Sequence, residues 1–219
     1  MFENLKITAK LRAQVCFSEY LRFDCILSAA KAKELLKSEY YTNEKQYSDE
    51  ETVIKTLSEF LKFNGKIGVF HASCAMSDND FVTAYSKRWN SAFDRAVKFK
   101  GKGKQEIDTA RGFFKAYRNP LVYHSMPEVI FYAVGDKQVI ERLLSDNITH
   151  LGKKSSQGYG EVANWNVEVI EEDKSIFDGD KLMRIIPASE QGVYGAYTVA
   201  ETAVIPPAYR KETQLCYMP

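Results

Sequence analysis

The stretch PEVIFYAVGDKQVIERLLSDNITHLG, residues 127–152, limits the possible folds more than any other part of the sequence. Residues 128–134 are apolar and predict a strand, after which Gly135 and Asp136 turn the chain. Asp136 is a suitable N-cap for a helix over 137–146. The apolar side of that helix would hold Val139, Ile140, Leu143 and Leu144. A glycine-rich loop and a further strand, with Val162, Trp165, Val167 and Val169 as its apolar residues, follow at once.

A second strand–helix pair opens the chain. Apolar residues alternate with polar or basic ones from Leu5 to Val15, which predicts a half-buried strand. Asp24 is the expected N-cap of the next helix, whose apolar face would contain Ile26, Leu27, Ala30, Leu35 and Leu36. Two such units favour an antiparallel sheet with helices on one face, an α+β, ferredoxin-like (RRM-like) layout with additional β-strands.

The remaining segments give weaker signals. Residues 39–51 contain five acids and one lysine and predict a solvated loop, with a short helix over 51–63 and a strand over 66–76. Residues 81–100 show no clear period. Strand-like pieces follow at 182–187 and 197–205, and Pro206 and Pro207 are expected to end regular structure.

Composition excludes several classes of protein. The net charge is only +1, which gives no global indication of a nucleic-acid partner. The four cysteines, at 16, 25, 74 and 216, form no CxxC pair, and no cluster of histidines or carboxylates predicts a metal or cofactor. The N-terminus has no apolar signal region, and no stretch approaches the roughly 18 apolar residues of a membrane span. We therefore expect a cytoplasmic protein.

The loop ITHLGKKSSQGYGEVANW, residues 148–165, has glycines at 152, 158 and 160. The spacing fits neither a P-loop nor a dinucleotide fingerprint, and a strand rather than a helix follows it. Two interpretations stay open. The glycines form a left-handed turn, or they let backbone N–H groups approach the phosphates of a polyanion while Lys153 and Lys154 add charge. Tyr159 would then stack on a base or pack inward.

A basic stretch over 95–118 supports the polyanion interpretation. Its eight basic residues, against two acids, are Arg95, Lys98, Lys100, Lys102, Lys104, Arg111, Lys115 and Arg118. Such a stretch is most often a solvated surface, but here Phe99, Phe113, Phe114 and Tyr117 are interspersed, which is typical of single-stranded nucleic-acid binding. Gly101 and Gly103 indicate a flexible loop or a hairpin tip.

Together these stretches resemble the RAMP proteins of CRISPR effector complexes, and among them the Cas-five-type subunit of type IV complexes. The resemblance rests on four stretches in order. They are LKITAKLRAQV with FDCILSAAKA, VFHASCAM with the later KRW, GFFKAYRNPLVYHSMPEVIFYAVGD, and HLGKKSSQGYGEVANW. It implies a RAMP fold in one domain over 1–219, with a basic, thumb-like insertion at about 84–118.

The resemblance also implies a function. Such a subunit is non-catalytic and binds the 5′ handle of the CRISPR guide RNA (crRNA) in a ribonucleoprotein for plasmid or viral defence. Its partners would be the repeated backbone subunit and the large subunit, and contact with target DNA near the PAM is left open. The RNA-binding candidates are Gly152, Lys153, Lys154, Ser155, Ser156, Gln157, Gly158, Tyr159, Gly160, Lys98, Lys100, Lys102, Lys104, Arg111, Lys115 and Arg118.

The alternative is a metal-independent endoribonuclease that processes the CRISPR repeat RNA. It would need a general base and a group that stabilises the phosphorane, for which Lys115, Tyr117 and His124 are candidates. In a strand, Lys115 and Tyr117 share one face and His124 lies on the other, so the three do not converge. His71 and Cys74, three residues apart, fail as a dyad for the same reason. The sequence therefore favours binding without catalysis.

Overall fold

The protein is a mixed α and β structure. A computed structural model describes residues 1–17, 20–41, 49–77, 81–89, 117–188, 197–207 and 212–219, with the backbone alone at 41, 81–89 and 117–121. The helices are α1 (Phe23–Leu36), α2 (Glu50–Ser58) and α3 (Lys137–Asn147), with 3-10 helices at Lys37–Tyr41 and Ser155–Gln157. None of the helices in the described ranges is both long and apolar enough to cross a membrane.

The strands vary widely in length. The longer ones are β1 (Glu3–Leu11), β4 (Phe81–Trp89), β5 (Tyr117–Ser125), β6 (Glu128–Gly135), β7 (Val162–Val169), β11 (Thr198–Thr202) and β12 (Gln214–Met218). The two-residue strands are β2 (Phe63–Asn64), β3 (Val69–Phe70), β8 (Phe177–Asp178), β9 (Lys181–Leu182) and β10 (Ile186–Pro187).

Strand β1 is the centre of the main sheet. It pairs antiparallel with β6 on one side and with β7 on the other, so that Ile7 lies opposite both Phe131 and Val167. Leu5, Ile7 and Ala9 are fully buried and Lys10 is exposed, as predicted, but Thr8 on the expected polar face is also buried, and the strand ends at Leu11 rather than Val15.

A β-bulge in β7 changes which of its residues lie on the same face of the sheet. Asn164 lies opposite Lys10 but Val162 lies opposite Leu11, so Ala163 is an extra residue in the ladder. The bulge brings Val162 onto the same face as Trp165, which strict alternation would forbid. Val169, expected on the apolar side, is instead 52% exposed at the end of the strand.

Residues 71–76 run along the free side of β6 as an irregular fourth strand. The N–H of Ser73 donates to the carbonyl of Tyr132 at 2.8 Å, and Met76 and Ile130 exchange both backbone hydrogen bonds. The order across the sheet is therefore β7, β1, β6 and 71–76. The strand expected over 66–76 is present, but it is divided between β3 and this irregular segment.

Helices α1 and α3 pack on one face of this sheet, as predicted. The cap of α3 is confirmed, because the Asp136 carboxylate accepts a hydrogen bond from the N–H of Val139. Ile140, Leu143 and Leu144 are fully buried in a core that also takes in Leu27 of α1. Leu35, expected on the apolar face of α1, is 53% exposed near the end of the helix.

A second, smaller core lies behind the 71–76 segment. It contains Cys74, Ile176, Ile185, Val204 and Cys216, and it is built on the antiparallel sheet β10–β12–β11. Strand β12 follows Pro206 and Pro207, so the expectation that regular structure ends there is wrong. A proline pair breaks one strand but does not prevent a later segment from pairing with strands already in place.

Two further corrections concern segments without a clear sequence signal. Residues 81–89, which show no period, form β4 and pair with β5 along nine residues. The acidic segment 39–51 is not a loop throughout, since the 3-10 helix reaches Tyr41 and Asp49 caps α2 by accepting from the N–H of Thr52.

Asp24 joins the two cores and is not the N-cap of α1. The helix begins at Phe23 with Arg22 as its cap residue, and the Asp24 side chain is fully buried. Its carboxylate accepts from Arg22 Nη2 at 3.0 Å and from Arg184 Nη2 at 2.7 Å, and both guanidinium groups are almost fully buried. The prediction failed because Asp24 lies inside the helix, where its carboxylate accepts from the N–H of Cys25 at 2.9 Å and also pairs with Arg184, 160 residues away in sequence.

Backbone carbonyls complete this buried cluster. Arg22 also donates to the carbonyls of Ala203 and Val204, and Arg184 Nη1 donates to the carbonyl of Ala72 at 2.8 Å. Burial acts to raise the pKa of Asp24, but the charges of Arg184 and Arg22 outweigh it and lower the pKa to about 2. The carboxylate therefore stays ionised in the folded protein.

We predict that Asp24→Asn lowers the free energy of unfolding by about 3–5 kcal/mol, because it leaves two buried guanidinium groups without their counter-charge. Urea unfolding at neutral pH measures the loss. The control is Glu141→Gln on the exposed side of α3, which should cost less than about 0.5 kcal/mol. Equal losses in the two variants would contradict the structural role of Asp24.

The same carboxylate gives a pH dependence with a defined sign. The folded-state pKa of Asp24, about 2, lies below the roughly 3.9 of an unfolded aspartate. Its contribution to stability is therefore complete above about pH 4 and is lost as the pH falls toward 2. The Asn variant should lose less stability than the parent over this interval.

Candidate nucleic-acid interface

The glycine loop, residues 152–160, is a closed projection between α3 and β7. The N–H of Lys153 donates to the carbonyl of Cys16 at 2.6 Å, and the N–H of Gly160 donates to that of Gln14 at 2.7 Å. The N–H of Leu151 donates to the carbonyl of Gly160 at 2.8 Å and closes the base. Both ends of the loop are thus fixed to the segment that follows β1.

Two of the three glycines are required by close backbone packing. Gly152 has a φ of +73°, and a Cβ there would lie 2.4 Å from the carbonyl oxygen of Cys16. Gly160 has a φ of +70°, and a Cβ there would lie 2.0 Å from the carbonyl oxygen of Leu151. Gly158, with a φ of +85°, faces open space. The left-handed turn interpretation therefore accounts for the backbone conformations of all three glycines. Close packing makes glycine a strict requirement only at 152 and 160 of these three positions.

Many of the backbone N–H groups of the loop donate hydrogen bonds to carbonyls of the protein itself. The N–H of Gln157 donates to the carbonyl of Lys154, that of Gly158 to Ser155 and that of Tyr159 to Lys154. With Lys153 and Gly160, five N–H groups of the loop are directed at carbonyls rather than outward. Any ligand of this loop is therefore met first by the exposed side chains from Lys153 to Gln157.

The neighbours of the loop come from distant parts of the chain. Val15 and His124 of β5 exchange backbone hydrogen bonds of 3.0 and 2.8 Å, and the Phe17 ring stacks on His124 with centroids 3.8 Å apart. Tyr159 is half-buried and lies against Tyr123, with ring centroids 6.4 Å apart. The sequence analysis missed Phe17 and Tyr123, because only the fold brings them beside the loop.

The exposed loop is electropositive. Lys153 and Lys154 are both exposed, and Glu161 is paired with Arg12 at 3.0 Å. Burial raises the pKa of the Cys16 thiol, while the charges of Lys153 and Lys154 act to lower it. Both ammonium groups therefore lie close enough to Cys16, beneath the loop, for their fields to reach the thiol.

The basic stretch joins β5 at the end of the strand that is far from the glycine loop. Lys98, Lys100, Lys102, Lys104, Arg111 and Lys115 lie outside the described residues. Arg118 belongs to β5, where its backbone pairs with Arg88. Tyr117 begins the strand about 20 Å from Tyr123, at about 3.3 Å per residue. The glycine loop and the C-terminal end of the basic stretch are thus at opposite ends of one strand.

The candidate acid–base residues do not form one site in the described part of the chain. The backbones of Tyr117 and His124 lie seven positions, about 23 Å, apart along β5. His71 Nδ1 makes hydrogen bonds with Asp173 at 2.9 Å and with Ser175 at 3.2 Å. Burial raises the pKa of Cys74 to about 11, so that thiol is protonated at neutral pH.

Within the described ranges, no three metal-ligating side chains come together. None of the four cysteines forms a disulfide, and Cys16, Cys74 and Cys216 are buried.

Comparison with known proteins identifies the family. The chain belongs to the family of the CRISPR type IV associated protein Csf3, whose family model matches residues 3–219. The predicted association with type IV CRISPR systems is thereby confirmed. No curated protein matches the chain.

One similar solved structure is the cryo-EM structure of the type III-B Cmr-beta bound to cognate target RNA. The matched chain is 10% identical, with a TM-score of 0.35, over 77% of this chain. The match spans 61% of the length of that chain.

We predict that Gly160→Ala destabilises the protein by about 2 kcal/mol or more beyond the loss in Gly158→Ala. Both substitutions place an alanine in the left-handed region, at a cost of roughly 1–2 kcal/mol. Only at 160 does the new Cβ also collide with backbone. Thermal and urea unfolding of the two variants give the comparison, and equal losses would show that the close approach of Leu151 is not required.

Proposed function

We propose that this protein is a non-catalytic crRNA-binding subunit of a type IV CRISPR ribonucleoprotein. Within the complex it would cap the 5′-handle end of the guide RNA, next to the repeated backbone subunit and the large subunit. The observation that carries the proposal is the exposed Lys153–Lys154 pair on a rigidly anchored loop. Membership of a CRISPR type IV associated family supports it.

The electrostatic argument favours phosphate as the ligand of the loop. Two adjacent lysines on a projection whose backbone is held at both ends present their charge in a fixed place. Lysine binds phosphate as a point charge without reading bases, which suits recognition of a backbone. Ser155, Ser156 and Gln157 are exposed beside them and would donate further hydrogen bonds to phosphate or sugar oxygens.

The proposed fold is the ferredoxin-like RAMP arrangement in one domain over 1–219. Its support is the strand order β7, β1, β6 and 71–76, with α1 following β1 and α3 lying between β6 and β7. This is the βαββαβ connectivity with the first strand central. The thumb-like insertion predicted at about 84–118 lies mostly outside the described residues, and in this proposal it carries the basic stretch to the same RNA.

The proposal is non-catalytic because the candidate acid–base groups are spread apart. Phosphodiester cleavage needs a base and a charge-stabilising group within hydrogen-bond reach of one phosphate. Tyr117 and His124 lie seven positions apart on β5, about 23 Å along the strand, and the His124 ring is stacked on Phe17. Contact with target DNA near the PAM is a further possibility that the same basic surface would permit.

We predict that the double substitution Lys153→Ala and Lys154→Ala weakens binding of the 219-residue chain to crRNA and lowers its salt dependence. Each lost phosphate contact should reduce the slope of log K against log salt by about 0.7. Fluorescence anisotropy with labelled crRNA at several salt concentrations measures both quantities.

The matched control is Lys55→Ala with Lys66→Ala. These two lysines are also exposed and their loss changes the net charge equally. If the control pair reduces affinity and salt slope as much as the loop pair, binding is a general charge effect and the loop assignment is wrong.

We also predict that the purified chain does not cleave CRISPR repeat RNA. The expected gel shows intact RNA after incubation with or without EDTA, because the described residues bring no acid–base set together. A product at one position that disappears in His124→Ala or Tyr117→Phe would establish the endoribonuclease instead.

A further inference from the structure

Tyr123 is an aromatic side chain beside the lysine loop that the RNA-binding candidates do not include. It belongs to β5, is half-buried, and packs against Tyr159 with an interplanar angle of 42°. Tyr159 is held between Gly158 and Gly160, which both have positive φ, so its backbone position is fixed by the loop. The two rings form one tilted pair, each partly open to solvent.

The fold puts this pair on the same side as the lysines. Neighbouring residues in a strand point to opposite faces, so Tyr123 points away from His124 and from the buried Val15 opposite it. The antiparallel register set by Val15 and His124 brings Cys16 opposite Tyr123. The carbonyl oxygen of Cys16 in turn accepts a hydrogen bond from the N–H of Lys153, with an N–O distance of 2.6 Å.

The Tyr123–Tyr159 pair and the Lys153–Lys154 pair thus border one small surface over Cys16. Aromatic rings beside a cationic loop match the requirements of single-stranded nucleic acid, in which a base stacks on a ring while the backbone follows the charge. A duplex would not fit in the same way, because its bases are already stacked on one another.

We propose that Tyr123, supported by Tyr159, is the stacking platform for one unpaired base of single-stranded RNA, whose flanking phosphates lie on Lys153 and Lys154. This inference rests on the proposed function and specifies which part of the RNA the loop recognises. It assigns base contact to the tyrosines and backbone contact to the lysines.

The test compares Tyr123→Leu, Tyr123→Phe and the Lys153–Lys154 double alanine variant in the 219-residue chain, using single-stranded crRNA at several salt concentrations. Tyr123→Leu should weaken binding roughly 5- to 100-fold, as expected for one lost base–ring stack, without changing the salt slope. Tyr123→Phe should bind like the parent because the ring remains. The control for loss of a tyrosine ring as such is Tyr20→Leu. Tyr20 lies elsewhere in the protein and is 41% exposed.

The outcomes separate this inference from the proposed function. If Tyr123→Leu binds like the parent while the lysine variant is weakened, the stacking platform is overturned and the phosphate-binding loop stands. If neither variant is affected, both are overturned. If Tyr123→Phe is weakened as much as Tyr123→Leu, the hydroxyl and not the stack makes the contact, which also overturns the platform.

An abasic scan of the RNA needs no variant and therefore does not depend on whether Tyr123→Leu folds. With the parent chain, one abasic position should weaken binding by a similar factor while the others have little effect. A scan with no sensitive position, or equal binding of a fully paired duplex, would overturn the platform.

Discussion

The buried cluster of Arg22, Asp24 and Arg184 is the interaction on which the arrangement of the chain depends. One carboxylate holds two guanidinium groups, and these also bind carbonyls of the 71–76 segment and of residues 203–204. The cluster therefore ties the start of α1 to the edge of the main sheet and to the second core. A buried ion cluster is a costly way to gain stability, but it tolerates few alternative geometries, since any other packing would leave a buried charge unpaired. We interpret it as the device that fixes how the second core docks on the first.

The position of the lysine loop follows from the path of the chain after β1. Residues 12–17 leave the main sheet and pair with β5 through Val15, while Gln14 and Cys16 accept the backbone N–H groups that anchor the loop. One short segment thus connects the central strand, the β4–β5 hairpin and the loop. Because these contacts are backbone hydrogen bonds, they place the loop almost independently of its side chains.

The sequence predicted those elements whose signals are local. The strand over 128–134, the Asp136 cap and the helix that follows were found because alternation, turn residues and helical period all agree within 20 or so residues. Asp24 shows the opposite case. An acid before an apolar helical pattern looks like a cap, yet its partner Arg184 is remote and carries no local signal. The β7 bulge, β12 and the contact of Tyr123 with Tyr159 were missed for the same reason, since each depends on a partner chosen by the fold.

The glycines of the loop meet a packing requirement, which has to be separated from the function proposed for the loop. Gly152 and Gly160 are needed where backbone meets backbone, so their presence alone says nothing about a ligand. The unusual feature of the loop is the set of side chains between these two glycines, which includes two exposed lysines and three exposed polar residues. The turn would close equally well with other residues at these positions. Lys154 even adopts a positive φ of 65° that glycine or asparagine would accept more readily. The proposed RNA contact is therefore to be sought at the exposed lysines rather than at the glycines, which packing already requires.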